Sequence, residues 1–347
     1  MSMKAKILEL LREKKDRVAA GAPESEAYVS GQELCEQFGV SRTAVWKAIG
    51  QLKKEGYVIE AVQNRGYRLL DQTEEVYNQA DIQSRLKTKW VAHPLQFFDS
   101  IDSTNIRAKL EAEQGAESGL LVVSDMQSAG RGRRGRGWES PAGTNIYYTL
   151  MLKPDFSSDC APMLTLVMAL AVAKGIRQTL RHDSEEAAAK VGIKWPNDIV
   201  VDGKKVCGIL TEMSMEQGYI QHIVIGVGIN VRKQEFPEEI RDRAAAIDEQ
   251  CGFRISRSQL IADIMEAFEE DYEIFLRTHD LKGLRASYAE LLVNQDREVC
   301  VLDPKGEYRG IARGINDQGE LLVERQDGTV EEVYAGEVSV RGIYGYV

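Results

Sequence analysis

Residues 130–137 read Gly-Arg-Gly-Arg-Arg-Gly-Arg-Gly, and their two flanks decide the fold at the centre of the chain. Gly130, Gly132 and Gly135 match G-x-G-x-x-G, the fingerprint of dinucleotide-binding α/β folds. That fingerprint must open a helix whose N-terminal N–H groups receive a pyrophosphate. Here Trp138-Glu139-Ser140-Pro141-Ala142-Gly143-Thr144 comes next, which reads as a turn. Asn145-Ile146-Tyr147-Tyr148-Thr149-Leu150-Met151-Leu152 lies beyond it, a strand by its β-branched and aromatic content. Leu120-Leu121-Val122-Val123 precedes the run and also reads as a strand. The glycines therefore join two strands, and the dinucleotide fold is rejected.

The loop has its own chemistry. Glycine lets the backbone approach a ligand closely but leaves an empty loop poorly ordered. Arginine offers a planar fork of donors suited to phosphate and carboxylate oxygens. A bound polyanion would supply the missing order, so the loop reads as a lid over a nucleotide or acyl phosphate. A solvated basic loop or an RNA-binding Arg-Gly segment has the same composition. The run is single and lies between strands rather than at a terminus, which weighs against both.

With 347 residues, two or three domains are expected, and 43% hydrophobic with 28% charged residues is the balance of a soluble globular protein. Five cysteines, at 35, 160, 207, 251 and 300, lack Cys-x-x-Cys spacing, which argues against a disulfide framework and a zinc site. A reducing, cytoplasmic setting is expected. The apolar run from Met163 to Ala173 is too short to span a bilayer, and no signal-peptide core is visible. Residues 1–70 hold 12 Lys/Arg against 9 Asp/Glu, whereas the whole chain carries -10. A slightly basic head on an acidic body permits nucleic-acid binding by the head alone.

In that head, Met3 to Lys15 has the apolar spacing of an amphipathic helix. Ser30, with Glu33 three residues on, caps a second short helix ending at Phe38-Gly39. Ser41 caps a third, Arg42 to Lys54, whose buried face is Val45, Ile49 and Leu52 and whose other side carries Arg42, Thr43, Trp46 and Lys47. This is the helix-turn-helix pattern. Tyr57 to Val62 and Gly66 to Leu70 flank Gln63-Asn64-Arg65, predicting a hairpin with a basic tip, the wing of a winged helix. Arg65 and Arg68 there favour phosphate contact. A helical domain used for dimerisation has the same elements.

The centre mixes strands and helices. Asp102-Ser103-Thr104-Asn105 opens a helix near Ser103, whose N–H groups and hydroxyls could hold a small polar ligand, although an ordinary cap looks the same. Leu164 to Leu180 reads as a core helix. Val191 to Val201 reads as a strand broken at Pro196, carrying Asn197 and Asp198 into an apolar run. A buried Asn-Asp pair needs partners, so a ligand, a metal or a simple turn fits. Asp202-Gly203-Lys204-Lys205 reads as a tight turn, where a lysine is normally solvent-exposed; Lys205 gains interest only beside the arginine loop. His222 to Val231 reads as a strand whose Gly226 and Gly228 suggest close approach of a ligand or a backbone. No Ser-His-Asp or Cys-His set is visible, so the chemistry looks electrostatic rather than nucleophilic.

Taken in order, these pieces resemble the bifunctional biotin–protein ligases that double as biotin operon repressors (BirA type, group II biotin protein ligases). The resemblance rests on Asp102 to Asn105, Gln127 with Gly130 to Arg136 and Trp138, Lys194-Trp195-Pro196-Asn197-Asp198, Lys205 with Gly208-Ile209-Leu210, and Gly226 to Asn230. It covers essentially the whole chain and implies an α+β multidomain fold. Residues 1–70 would be a winged helix-turn-helix domain. Residues 71–290 would be a mixed-sheet α/β ligase domain, class II synthetase-like, and residues 291–347 an SH3-like β-barrel. The last is supported by short strands at 297–302, 310–315, 321–323 and 338–340, separated by turns at Asp303-Pro304-Lys305-Gly306, Asn316 to Gly319 and Gln326 to Gly328.

The resemblance implies that biotin and Mg-ATP give biotinyl-5′-adenylate, which then acylates one lysine of a biotin carboxyl carrier protein. It places Ser103, Thr104, Asn105, Gln127, Gly130, Arg131, Gly132, Arg133, Lys205 and Gly208 around biotin. Arg133, Arg134, Arg136, Trp138, Lys194, Asn197 and Asn230 would lie around ATP or the adenylate. Lys205, Arg133 and Asp198 would be the catalytic set, with Mg2+ near Asp198. A loop within Val231 to Ala246 would order over adenine, Phe236 being its aromatic. Operator DNA would meet residues 31–50 and the wing, and the adenylate would promote a homodimer. A lipoate-type ligase, without this arginine–glycine loop, and a biotin-sensing repressor without catalysis are the alternatives.

Overall fold

The computed structural model describes residues 1–72, 74–302, 306–334 and 339–342. The chain forms two units, residues 1–86 and 87–347.

In the first unit, α1 (Met3–Ala19) runs beyond Lys15 and buries Ile7, Leu8 and Leu11. α2 (Gly31–Phe38) begins where Ser30 Oγ accepts the Glu33 N–H at 3.0 Å. It stops at Gly39, whose φ of +63° is the left-handed conformation that favours glycine. α3 (Arg42–Lys54), capped by Ser41, buries Val45, Ala48, Ile49 and Leu52. β1 (Ile59–Val62) and β2 (Gly66–Leu69) form the antiparallel wing, and Val29 bridges to Tyr67 beside it. α4 (Gln79–Gln83) completes the unit: its buried Asp81 pairs with Arg12 and Arg85 and accepts the Tyr57 hydroxyl at 3.1 Å.

The second unit is built on a seven-stranded sheet. Its elements in chain order begin with β3 (Leu95–Phe98), α5 (Thr104–Glu113), β4 (Leu121–Ser124), β5 (Ile146–Leu152) and α6 (Met163–Arg181). Next come α7 (Glu185–Ala189), β6 (Val191–Lys194), β7 (Asp198–Val201), β8 (Lys204–Glu216) and β9 (Tyr219–Ile229). α8 (Ile247–Cys251), α9 (Arg257–Phe275) and α10 (Arg285–Leu291) lead to the C-terminal strands. The sheet order is β3-β4-β5-β9-β8-β7-β6, with β3 and β4 parallel and the other neighbours antiparallel.

Alternation along β8 sorts the helices onto opposite faces. Thr211 meets Thr165 of α6, whereas Glu212 meets Asn105 of α5. α6 has the length and composition of a membrane span, but it lies buried between the sheet and α9. The break expected at Pro196 is a reversal. β6 and β7 pair antiparallel, Lys194 opposite Asp198, with Trp195-Pro196-Asn197 as the turn between them.

The C-terminal strands are β10 (Glu298–Leu302), β11 (Tyr308–Ile315), β12 (Leu321–Glu324), β13 (Val330–Val333) and β14 (Ser339–Gly342), an antiparallel five-stranded sheet. Composition does not predict β13, because its first three residues are exposed and two of them are glutamates. Asp303, Pro304 and Lys305 of the expected turn and Val338 of the last expected strand lie outside the described residues. The buried Trp195 donates its indole N–H to the Gly319 carbonyl at 3.0 Å, so the β6–β7 turn is braced against this sheet.

Candidate active site

On the α5 face of the sheet a cavity of about 530 Å3 opens between the arginine loop, the N-terminus of α5, the ends of β7 to β9 and residues 234–244. Its floor starts at Ser103, Thr104 and Asn105, all buried. Ser103 occupies the N-cap position but its side chain makes no capping bond. Gln127 supplies it instead: its Oε1 accepts the Thr104 N–H at 2.9 Å and the Thr104 hydroxyl at 3.0 Å. The Gln127 Nε2 donates to Ser140 Oγ at 3.1 Å, and Ser140 Oγ donates to the Trp138 carbonyl at 3.0 Å. The root of the arginine loop is thus tied to the helix that forms the floor.

The loop doubles back on itself, with Gly132 N–H donating to Arg136 O at 2.8 Å and Trp138 N–H to Gly130 O at 3.0 Å. Gly130 is close-packed against Trp138 O and Ser140 Oγ, and it does not line the cavity. Arg131, Gly132, Arg133, Arg134 and Arg136 do. The Trp138 ring lies against Gly208 and Gly228. A Cβ at Gly228 would stand 2.5 Å from the indole, and one at Gly208 2.9 Å from it. These two glycines therefore make room for a side chain of the protein itself. Lys205 Nζ sits 5.6 Å from the centre of the same ring, in cation–π range.

Two basic groups converge on the β6–β7 turn. Arg133 Nη1 donates to Asn197 Oδ1 at 2.7 Å, and Lys205 Nζ pairs with Asp198 Oδ1 at 2.5 Å. Burial weakens the hold of Arg133 on its proton; Asp198 opposes that shift and Arg134 adds to it. Asn197 is itself fixed, its Nδ2 donating to Ile209 O at 3.1 Å. Lys194, the last residue of β6, is buried and does not line the cavity. Among the described residues the lining holds six cations (Arg131, Arg133, Arg134, Arg136, Lys205, Arg243) against three carboxylates (Glu139, Asp198, Glu235). In a chain of net charge -10 this is a concentrated site for a polyanion. Beside it, Ile209, Leu210, Val227 and Trp138 form an apolar stretch.

Residues 231–246 close the far side, and both ends are pinned. At the exit, Asn230 lines the cavity and the Ile247 N–H donates to its carbonyl at 3.0 Å. At the start, the fully buried Asn145 accepts the Val231 N–H on Oδ1 at 3.0 Å and donates from Nδ2 to Gln234 Oε1 at 3.1 Å. Arg257, at the start of α9, holds the Asn145 carbonyl at 3.1 Å and Asp125 at 2.8 Å. Near the end, Lys205 N–H donates to Arg243 O at 2.8 Å and Ala245 N–H to Lys205 O at 2.9 Å. Phe236 lines the cavity in the middle of this segment. Asn145, Gln234, Glu212 and Arg243 carry no motif, and only their tertiary neighbours mark them.

In the first unit, Arg42, Thr43, Trp46 and Lys47 share the exposed side of α3, and Trp46 is 68% exposed. At the wing, Arg65 and Arg68 both lie over the Tyr28 ring, at 5.4 and 5.1 Å. Arg68 is also engaged by Glu60 at 2.6 Å and Glu24 at 3.0 Å, whereas Arg65 is exposed at the tip.

Known proteins share the three-part order of the chain. The biotin/lipoate A/B protein ligase family matches residues 97–230, a helix-turn-helix domain matches residues 24–68, and the biotin protein ligase C-terminal domain matches residues 296–341. The chain is 37% identical to the bifunctional ligase/repressor BirA of Bacillus spizizenii over 94% of its own length and 98% of the relative's. With that of Escherichia coli the identity is 32%, over 90% and 92%. Among solved structures, the biotin protein ligase of Aquifex aeolicus in complex with biotin and ATP superposes with a TM-score of 0.60 at 28% identity, covering 72% of this chain and 98% of that one. With both ends of the architecture and its centre matched, the chain belongs to the family of bifunctional ligase/repressor BirA proteins.

Proposed function

We propose that this chain activates biotin with ATP to biotinyl-5′-adenylate, transfers the biotinyl group to one lysine of a biotin carboxyl carrier protein, and represses biotin genes through its winged helix. The observation that carries this reading is the cavity lining, which joins the polar floor of α5 and an apolar stretch to six cations. A carboxylate and a triphosphate repel each other, and Arg133 and Lys205 stand where that repulsion must be neutralised. The ring system of biotin would rest on Ser103, Thr104, Asn105 and Gln127, with its carboxylate toward Arg133 and Lys205. Closing of the arginine loop and of residues 231–246 would shield the mixed anhydride from water.

The nucleophile is the carrier's lysine, which accounts for a cavity lined by no cysteine or histidine among the described residues. Among them, too, no group of three His, Cys, Asp or Glu side chains converges. That fits Mg2+ arriving as the counter-ion of ATP, with Asp198 as the carboxylate beside the catalytic cations; the ion would neutralise phosphate charge. Operator DNA would meet α3 through Arg42, Thr43, Trp46 and Lys47, and the wing tip through Arg65. Adenylate binding would favour a homodimer that presents two such helices, in the cytoplasm.

The test is biotin-dependent ATP–pyrophosphate exchange. Exchange that requires biotin, ignores lipoate and collapses in Arg133→Ala and Lys205→Ala is expected. Exchange with lipoate alone would convert the reading to a lipoate-type ligase, and no exchange with either acid would leave a ligand-sensing repressor.

A further inference from the structure

Behind the cavity floor lies a hydrogen-bonded chain whose sense is set from outside the cavity. Asn105 Nδ2 lies 2.8 Å from Glu212 Oε2. A carboxylate can only accept, so the amide nitrogen of Asn105 must face it. Lys109, one turn further along α5, donates to the other oxygen, Glu212 Oε1, at 2.8 Å. Burial opposes the charged form of Glu212, but the bonds from Lys109 and Asn105 outweigh it and hold the carboxyl below its usual range.

With its nitrogen committed, Asn105 turns Oδ1 toward Thr149, whose hydroxyl is 2.6 Å away and must donate. Thr149 is fully buried and has one proton. It shares that proton with its second contact, Thr104 Oγ1 at 2.8 Å, because the proton of Thr104 is already given to Gln127 Oε1 at 3.0 Å. Gly226 leaves the space that this arrangement needs, because a Cβ there would fall on Asn105 Oδ1. One donor–acceptor order thus runs from Lys109 through Glu212 and Asn105 to Thr149, and the sense of Thr104 is set by Gln127.

We propose that Glu212, which does not line the cavity, is a positioning residue for the biotin end of the site: it fixes the carboxamide of Asn105 and, through it, the hydroxyl of Thr149. The proposal rests on the reading that Thr104 and Asn105 face biotin. Without Glu212 the Asn105 amide can flip, and the floor then offers the ligand a mixture of donor patterns.

The experiment is steady-state pyrophosphate exchange on the full chain, with biotin and ATP varied separately. Glu212→Ala raises the biotin KM roughly tenfold, the scale of losing a hydrogen bond to a charged group, and leaves the ATP KM and kcat within about twofold. Glu212→Gln restores most of the loss, because its carbonyl oxygen still accepts from Asn105. Lys109→Met, which breaks the ion pair and spares the Asn105 bond, leaves the biotin KM near wild type. If Glu212→Ala does not yield folded protein, Glu212→Met keeps the volume, removes the acceptor and carries the same expectation. A loss in Lys109→Met as large as in Glu212→Ala, a fall in kcat shared by both, or no rescue by Gln would overturn the proposal in favour of a plain clasp between α5 and β8. Thr104→Val separates the two readings. If it raises the biotin KM while the Glu212 variants do not, the positioning role fails; if it changes nothing, the placement of biotin fails.

Discussion

Lys205 Nζ lies 2.5 Å from Asp198 Oδ1, and the two side chains come from strands that pair with each other, β8 and β7. The lysine's backbone is held at the same time by Arg243 and Ala245, so its ammonium is presented from a fixed strand. A phosphate entering the cavity would compete with Asp198 for that ammonium. If Lys205 turned to the phosphate, the Asp198 carboxylate would become available to the incoming amine.

Asp198→Asn tests this sequence of events. Asparagine keeps the shape but cannot take a proton. Transfer from preformed adenylate to the carrier should slow by roughly a hundredfold or more, the usual range for a lost general base. Adenylate formation, measured by pyrophosphate exchange, should fall much less. Equal losses in both steps would leave Asp198 as the holder of Lys205 and nothing more.

The amide pair between Asn145 and Gln234 makes a second, separable prediction. Gln234→Ala removes one clamp at the start of the segment that carries Phe236, while Asn145 keeps its bond to the Val231 N–H. One neutral hydrogen bond is worth about 0.5–1.5 kcal/mol, so the ATP KM should rise between about twofold and tenfold. The biotin KM should not move, since the bonds of Gln234 run to Asn145 and not to the floor formed by α5. An effect on biotin alone would show that the segment closes over the other end of the cavity.

The legible and illegible parts of the sequence divide along local and tertiary lines. In the first unit α2 and α3 are legible almost to the residue, because Ser30, Ser41 and Gly39 are local signals that act within one turn, whereas α1 runs four residues past its expected end and α4 is not among the expected helices. The arginine loop is legible as a strand-to-strand connection for the same reason. Local pattern makes Ser103 the cap of α5, but the bond is made by Gln127, 23 residues beyond Thr104 in sequence. Gly226 and Gly228 signal close approach; the approaching groups are Asn105 and Trp138. Asn145 and Glu212 give no signal at all: a buried Asn or a half-buried Glu in a strand region does not reveal what it faces. α9 carries no motif, and Asp263, Glu269 and Asp271 interrupt its apolar pattern, although all three are buried.

Asp263 gives the chain a predictable pH response. Burial pushes its carboxyl above the usual range, against the bonds it accepts from Thr179 at 2.7 Å and Gln259 at 2.8 Å. Because the folded-state value lies above the unfolded one, the protonated form favours the fold. That contribution is complete below the unfolded value of about 4 and is lost as pH rises through the folded value. Asp263→Asn, neutral at every pH, should therefore have a Tm equal to or above wild type at pH 7. The difference should close on acidification toward about pH 4. Asp271, raised by burial against its pair with Lys174, adds to the wild-type trend in the same direction. A variant less stable than wild type at pH 7 would mean that the charged carboxylate is needed to hold α9 on α6.

The two wing arginines are expected to behave differently, although they stand three residues apart. Arg65 is exposed at the hairpin tip, where a DNA backbone would pass. Arg68 is already engaged by Glu60 and Glu24, and those bonds raise its affinity for its proton. A phosphate would have to displace two carboxylates to reach it. Binding to random-sequence duplex DNA, measured over a range of salt concentrations, separates them. Arg65→Ala should weaken binding and reduce the slope of log affinity against log salt by about one, the signature of one lost phosphate contact. Arg68→Ala should leave that slope unchanged, and its cost should appear in the thermal stability of the wing. A reduced slope for Arg68→Ala instead would show that DNA pulls the arginine away from Glu60 and Glu24.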